Sequence, residues 1–351
     1  MKIYLFAYTK TNLGDDLFLY ILLNRYKSID FYINIQEKDR NSKFIQSFEN
    51  LHLVDGEDKY NVNIEDYDAF IYIGGSIFME NDISIKKLYR LNKLIRDCKN
   101  INIPFYYISS NFGPYYTEEY YDLACNTFEF CEDVCFRDRA SKKLFEDKKS
   151  TRYAPDLVFT LNKKSKEKIK GSVGISLIDT KNREKLQNSE EQYISFLVKN
   201  ICYLIEQGKK IYLYSFCEYE GDNNCSKEVL KQLPEEYKNS VIEVIYKGET
   251  EEYINLYSKM EYAICTRFHS MILSTIFRQK LMVISYSNKI SNVFKELKLG
   301  KKCYELKELG KTNTFEINNY KKISYIRLLK IKIVAKKQLK KINKEIITHK
   351  H

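Results

Sequence analysis

The feature that most limits how this chain can fold is an alternation of short apolar runs with segments of helical periodicity, sustained through residues 2–285. Residues 2–7, 31–35, 51–54, 69–73 and 105–108 read as strands, and residues 15–26 as a helix with Leu17, Ile21 and Leu22 on one face. A polar, lysine-rich stretch at 162–170 interrupts the pattern. It then resumes with strands at 173–177, 211–214, 241–245, 262–265 and 281–285 and helices near 191–206, 251–258 and 270–277. Runs that are apolar throughout belong to strands buried on both faces, and strands separated by helices pair in parallel.

The expected fold is therefore α/β, with two Rossmann-like lobes at 1–165 and 166–310 and a basic helical tail at 311–351. At 351 residues and 44% hydrophobic the chain has material for two cores. Its net charge of +11 is unevenly placed. Between Lys321 and Lys350 lie ten lysines, Arg327 and one acid, Glu345, leaving the remainder close to neutral. That distribution argues against a nucleic-acid surface spread over the molecule. Leu328, Ile331, Ala335, Leu339, Ile342 and Ile346 mark one face of the tail. Such a face either packs on its own domain or lies on the anionic inner face of the cell membrane.

No run approaches the roughly 18 apolar residues that span a bilayer, and the apolar start is too short for a secretory leader. The expectation is a cytoplasmic protein. Its nine scattered cysteines read as reduced, buried thiols. The four histidines, His52, His269, His349 and His351, form no metal-like cluster, so no metal is expected.

Ligands of open α/β sheets sit beyond the carboxyl ends of the strands, which directs attention to the segments that follow them. Asn12-Leu13-Gly14-Asp15-Asp16 opens the first helix, where a glycine permits close approach and free N–H groups favour an anion. Asp15 and Asp16 serve equally well as helix-capping residues. Gly74-Gly75-Ser76 follows the strand at 69–73. Arg137, in Phe136-Arg137-Asp138-Arg139-Ala140-Ser141, could clamp a carboxylate or phosphate, or form an ordinary surface pair with an acid. The sharpest signal is Cys265-Thr266-Arg267-Phe268-His269-Ser270-Met271, a permanent cation and a titratable imidazole between a strand and a helix. Lys289, after the next strand, completes a cationic trio with Arg267 and His269 for a doubly charged small molecule.

Taken in order, these segments resemble the polysaccharide pyruvyl transferase family. The match continues through Asn111-Phe112-Gly113-Pro114, Arg137-Asp138-x-x-Ser141, Ala154-Pro155-Asp156-Leu157-Val158-Phe159, Val173-Gly174-Ile175-Ser176 and Arg267-Phe268-His269-Ser270. The resemblance implies a GT-B-like arrangement and transfer of a pyruvyl group from phosphoenolpyruvate to a sugar, forming a ketal. It implies no cofactor, with phosphoenolpyruvate as donor and a saccharide or lipid-linked saccharide as acceptor. Carried over, His269 is the catalytic residue. Arg137, Arg267 and Lys289 bind the donor's charges across a cleft, with Gly14, Asp15, Gly74, Gly75 and Ser76 as further substrate-binding positions. Ile178-Asp179 stands where an arginine is expected after Ile175-Ser176-Leu177. Two other functions fit the same architecture: a nucleotide-sugar glycosyltransferase, with Asp222 or Glu251 as a ribose-binding acid, and a non-catalytic, membrane-associated component of polysaccharide assembly.

Overall fold

The computed structural model describes residues 1–36, 39, 42–56, 58–181, 183, 186–300, 303–311 and 320–348. Residues 312–319 and 349–351 of the expected tail, with His349 and His351, lie outside them. The chain forms two compact units: Met1–Thr9, Asp15–Thr160 and Ile331–His351 make the first, Lys10–Gly14 and Leu161–Lys330 the second. The changeovers fall at 160/161 and 330/331, against expected bounds of 165/166 and 310/311. A five-residue excursion near the start, which no periodicity announces, joins the second unit.

The first unit is built on seven parallel strands: β1 (Lys2–Phe6), β2 (Asp30–Asn34), β3 (Leu51–Val54), β4 (Ala69–Ile73), β5 (Phe105–Ser110), β6 (Asp133–Phe136) and β7 (Thr151–Tyr153). Their order is β3-β2-β1-β4-β5-β6-β7, so the direction of winding reverses between β1 and β4. One face of this sheet is aromatic. Phe70 and Phe105 stack with ring centroids 6.1 Å apart, and Phe6 lies 6.0 Å from Phe105. The helices Ser84–Asn100 and Glu118–Phe130 cover that face with Leu88, Leu91, Ile95, Leu123 and Phe128.

The second unit has six parallel strands: β8 (Ile169–Ser176), β9 (Lys210–Ser215), β10 (Val241–Ile245), β11 (Met260–Cys265), β12 (Lys280–Ser285) and β13 (Cys303–Glu305). The order β10-β9-β8-β11-β12-β13 reverses between β8 and β11. Its core is more aliphatic, with Val173, Ile175, Leu197, Ile201, Leu213 and Ile264 fully or almost fully buried. All nine cysteines are free thiols, and burial raises those of Cys98, Cys135 and Cys217 to about 12.

The C-terminal helix is present, running from Tyr325 with a tighter 3-10 turn at Lys336–Leu339. Its predicted apolar stripe, Leu328, Ile331, Ala335, Leu339, Ile342 and Ile346, is buried throughout. That stripe is a packing face, the first of the two alternatives that its spacing left open. No helix among the described residues is long and apolar enough to cross a membrane.

Candidate active site

In the second unit the winding reverses at the β8/β11 pair, where Ser176 is in register with Cys265. The Ser176 hydroxyl accepts the N–H groups of Thr266 (3.0 Å) and Arg267 (3.2 Å) and lies 2.6 Å from the Ser270 hydroxyl. Ser270 also donates to the Arg267 carbonyl at 2.6 Å, and Tyr193 donates to the Thr266 hydroxyl at 3.0 Å. This buried network fixes the turn that leads into the helix Phe268–Ile276. His269 stands in the first turn of that helix.

The excursion Lys10–Gly14 meets His269 there. Leu13 N–H donates to the Phe216 carbonyl at 3.0 Å, Asn12 donates to Glu220 at 3.1 Å, and Gly14 N–H donates to Asn12 Oδ1 at 2.9 Å. Gly14 lies flat against the imidazole: a Cβ at this position would fall 2.0 Å from His269 Nδ1. Glycine is needed here because the ring occupies the place of a side chain. The two sequence signals, Asn12-Leu13-Gly14 and Arg267-Phe268-His269, are thereby one structural feature.

Arg267 is 8% exposed and its charge is met at once. Nε donates to both Asp222 oxygens (2.9 and 3.1 Å), one terminal nitrogen bonds Glu220 at 2.5 Å, and the other bonds Asp222. Asp222, fully buried, also accepts the N–H groups of Phe216 and Cys217. It opens the helix Asp222–Gln232 after Gly221, whose φ of +85° and close approach to Asp179 both demand glycine. Burial alone would push the Glu220 carboxyl up. Arg267 and Arg183 outweigh that and hold it at about 2.

Arg183 was not singled out by sequence. Its guanidinium donates to Glu220 at 2.6 Å and sits 5.3 Å from the Tyr286 ring. It lies four residues beyond the Ile178-Asp179 pair that broke the expected arginine pattern. Burial pushes the Tyr286 phenol up, but Lys289, Arg183 and Arg267 outweigh it and bring the group below its ordinary value. Tyr286 thus lies in the field of these three cations, and it too was missed.

In the first unit the reversal point lies at β1/β4, and Gly74-Gly75-Ser76 follows β4. Asn111, after β5, gathers this loop: its N–H donates to the Gly75 carbonyl at 2.8 Å, and its Oδ1 accepts from Ser76 at 3.2 Å. The same Oδ1 accepts Arg137 Nε and Nη2 at 3.2 and 2.7 Å, while Arg137 Nη1 pairs with Asp156 at 3.0 Å. A Cβ on Gly75 would fall 2.4 Å from Arg137 Nη1. Arg137 and Asp156 are 4% and 1% exposed, so this is an interior pair and its acid is Asp156. The neighbouring Asp138 instead caps the helix Arg139–Leu144, accepting Ser141 N–H and Oγ–H at 2.8 Å each. Asp15 lies in the first turn of the helix Leu13–Arg25, its charge acting on Tyr72.

The structure thus brings Gly14 to His269, Arg267 and Lys289 to Tyr286, and Arg137 to Gly75 and Ser76. Among solved structures the chain is similar to the UDP-GlcNAc 2-epimerase from Methanocaldococcus jannaschii (11% identity, TM-score 0.56, covering 92% of this chain and 95% of that one). It is also similar to a putative UDP-N-acetylglucosamine 2-epimerase from Listeria monocytogenes (9% identity, TM-score 0.56, 99% and 96%) and to the S. aureus MnaA–UDP structure (9%, TM-score 0.54, 88% and 86%). At such identities the likeness is one of fold, a GT-B-like pair of parallel α/β sheets. No curated protein matches by sequence. Residues 12–288, which hold the segments from Asn12 to Ser270 described above, match the family described as polysaccharide pyruvyl transferase, and the chain belongs to that family.

Proposed function

We propose that the chain transfers the pyruvyl group of phosphoenolpyruvate to two hydroxyls of a sugar in a cell-surface polysaccharide or its lipid-linked precursor. The observation that carries the reading is the imidazole of His269 seated on Gly14, in the helix turn that follows the buried Arg267. In the reaction both sugar oxygens bond to C2 of the enol phosphate and the C2–O bond to phosphate breaks; of the two hydroxyl protons, one goes to the methylene carbon, making it methyl, and the other leaves with phosphate. His269 is the group that takes a hydroxyl proton or delivers one to the methylene carbon. Lys289 supplies fixed positive charge for the donor's carboxylate and phosphate. Arg267, with its own charge met by Asp222 and Glu220, contributes to the same field and holds the turn that presents His269.

In the first unit, the proposed substrate contacts are Gly74, Gly75, Ser76 and Asp15. Asp15 would orient acceptor hydroxyls, and Arg137 would hold the glycine loop and lend it positive charge.

The test is phosphate release from phosphoenolpyruvate in the presence of a panel of lipid-linked and nitrophenyl sugars. Phosphate appearing together with a ketal-bearing sugar is the expected result. His269→Ala should lose turnover while its circular dichroism and melting curve stay those of the wild type. Turnover retained by His269→Ala would remove the histidine from the mechanism. Release of a nucleoside diphosphate from a sugar nucleotide, with none of phosphate from phosphoenolpyruvate, would replace this reading by a glycosyltransferase.

A further inference from the structure

Residues 331–348 are locked to the first unit along one side. Gln338 accepts Ser109 N–H at 3.0 Å and donates to the carbonyls of Ala154 (2.7 Å) and Pro155 (3.2 Å). Arg152 donates to the Gln338 carbonyl at 3.0 Å, and Tyr26 donates to Asn343 at 2.7 Å. Tyr106 donates to Glu345 at 3.2 Å, so the one acid of this segment is turned toward the sheet. With Ile331, Ala335, Leu339, Ile342 and Ile346 buried, the helix has no freedom to roll.

The opposite side is consequently a fixed outward face. Lys336, Lys337, Lys340 and Lys344 are exposed along it and, with Asn343 and Ile347, line a shallow groove. The lysine row is flanked by two isoleucines that packing leaves outside: Ile333 is 56% exposed and Ile347 60%. At 1.5 Å per residue the two stand roughly 20 Å apart. The face thus offers a row of cations and two outward aliphatic side chains to the same side of the helix.

We propose that this face docks the protein on an anionic lipid bilayer. Lipid phosphates complement the lysines, and the acyl boundary accepts Ile333 and Ile347. A nucleic acid would satisfy the lysines but give the isoleucines nothing, and residues 331–348 contain no aromatic side chain on which a base could stack. The face differs from the stripe that helical periodicity picks out, because that stripe is the one the sheet covers. The inference stands on these contacts alone and does not depend on the proposed chemistry.

The experiment is co-sedimentation of the full chain, without donor or acceptor, with vesicles of phosphatidylcholine or of equal parts phosphatidylcholine and phosphatidylglycerol. Binding to the anionic vesicles only, weakening as salt rises, is expected. Replacing Lys336, Lys337, Lys340 and Lys344 by Gln together should lower the partition coefficient on the order of a hundredfold or more, from the charge lost near the surface. Ile333→Ser with Ile347→Ser should lower it about tenfold while keeping the salt dependence. Both variants alter exposed positions, and unchanged circular dichroism checks their folding. Equal binding to both vesicles, no binding to either, wild-type binding by the lysine variant, or capture by an RNA duplex in preference to anionic vesicles would each overturn the proposal. Loss of vesicle binding with full turnover on a soluble nitrophenyl sugar would leave the catalytic reading standing.

Discussion

Arg137 and Arg267 each follow the carboxyl end of a parallel strand, and each is almost wholly buried. Their surroundings differ in charge. Arg137 pairs with one carboxylate, Asp156, and one amide, Asn111. Around Arg267 two carboxylates, Asp222 and Glu220, face two guanidiniums, Arg267 and Arg183, and the charge of Lys289 acts on the adjacent Tyr286. A buried cation by itself therefore does not identify an anion site. The first arginine fixes a glycine loop; the second belongs to a cluster of several charges that also acts on Tyr286.

The contrast can be broken most forcefully at Arg137. Arg137→Ala leaves Asp156 charged, 1% exposed and without its guanidinium, which should cost about 3–5 kcal/mol in urea unfolding. A change below about 1 kcal/mol would mean that the pair is not the closed interior unit described. Glu220→Gln comes next, and acts through pH. The carboxyl is depressed from 4.5 to about 2 in the folded chain, so its stabilisation is present above pH 4.5 and is lost as pH falls toward 2. The variant should flatten that part of the stability curve by at most about 3 kcal/mol. An acid limb identical to the wild type's would deny Glu220 its two arginines.

Gly14→Ala should be smaller in stability, about 1–3 kcal/mol, because the methyl group displaces a ring and opens no cavity. Its turnover should nevertheless fall more than tenfold, since a misplacement of about 1 Å has that effect on a reacting group. The comparison is with Gly75→Ala, which presses on the guanidinium of Arg137. If both glycine variants lose activity equally without loss of fold, the distinction between the two arginine environments has no functional weight.

Tyr286→Phe should have the smallest effect. As pH rises, the lowered pKa of Tyr286 makes the phenolate appear earlier when folded, adding stability that the variant lacks. Among 30 tyrosines, the phenolate difference spectrum between wild type and variant should contain one that titrates below 10.

Much of the fold was readable because strands buried on both faces are apolar throughout; β3, β4 and β10 fall at the expected residues. The strands that escaped are β6, β7 and β13. β7 and β13 have three residues each, and β6 begins at Asp133, whose buried carboxylate is acceptable only because Arg152 reaches it from β7. A polar residue satisfied by a neighbouring strand carries no periodic signal. The site was legible in its parts. Gly14 and His269 were singled out separately, but their contact depends on a chain excursion of five residues. Asp222 drew attention only as a ribose-binding acid, since nothing local says that β9 and β11 end on either side of β8 and bring it to Arg267.

Gln338 has one more implication, for the order of events on the ribosome. It completes the hydrogen bonding of Ala154, 184 residues earlier in the chain. At about 5–20 residues per second, the seven-stranded sheet emerges roughly ten to forty seconds before the segment that closes it. During that interval the Ser109 amide and the Ala154 carbonyl wait on solvent or on a chaperone. The half of the protein that is translated first is thus the half that matures last.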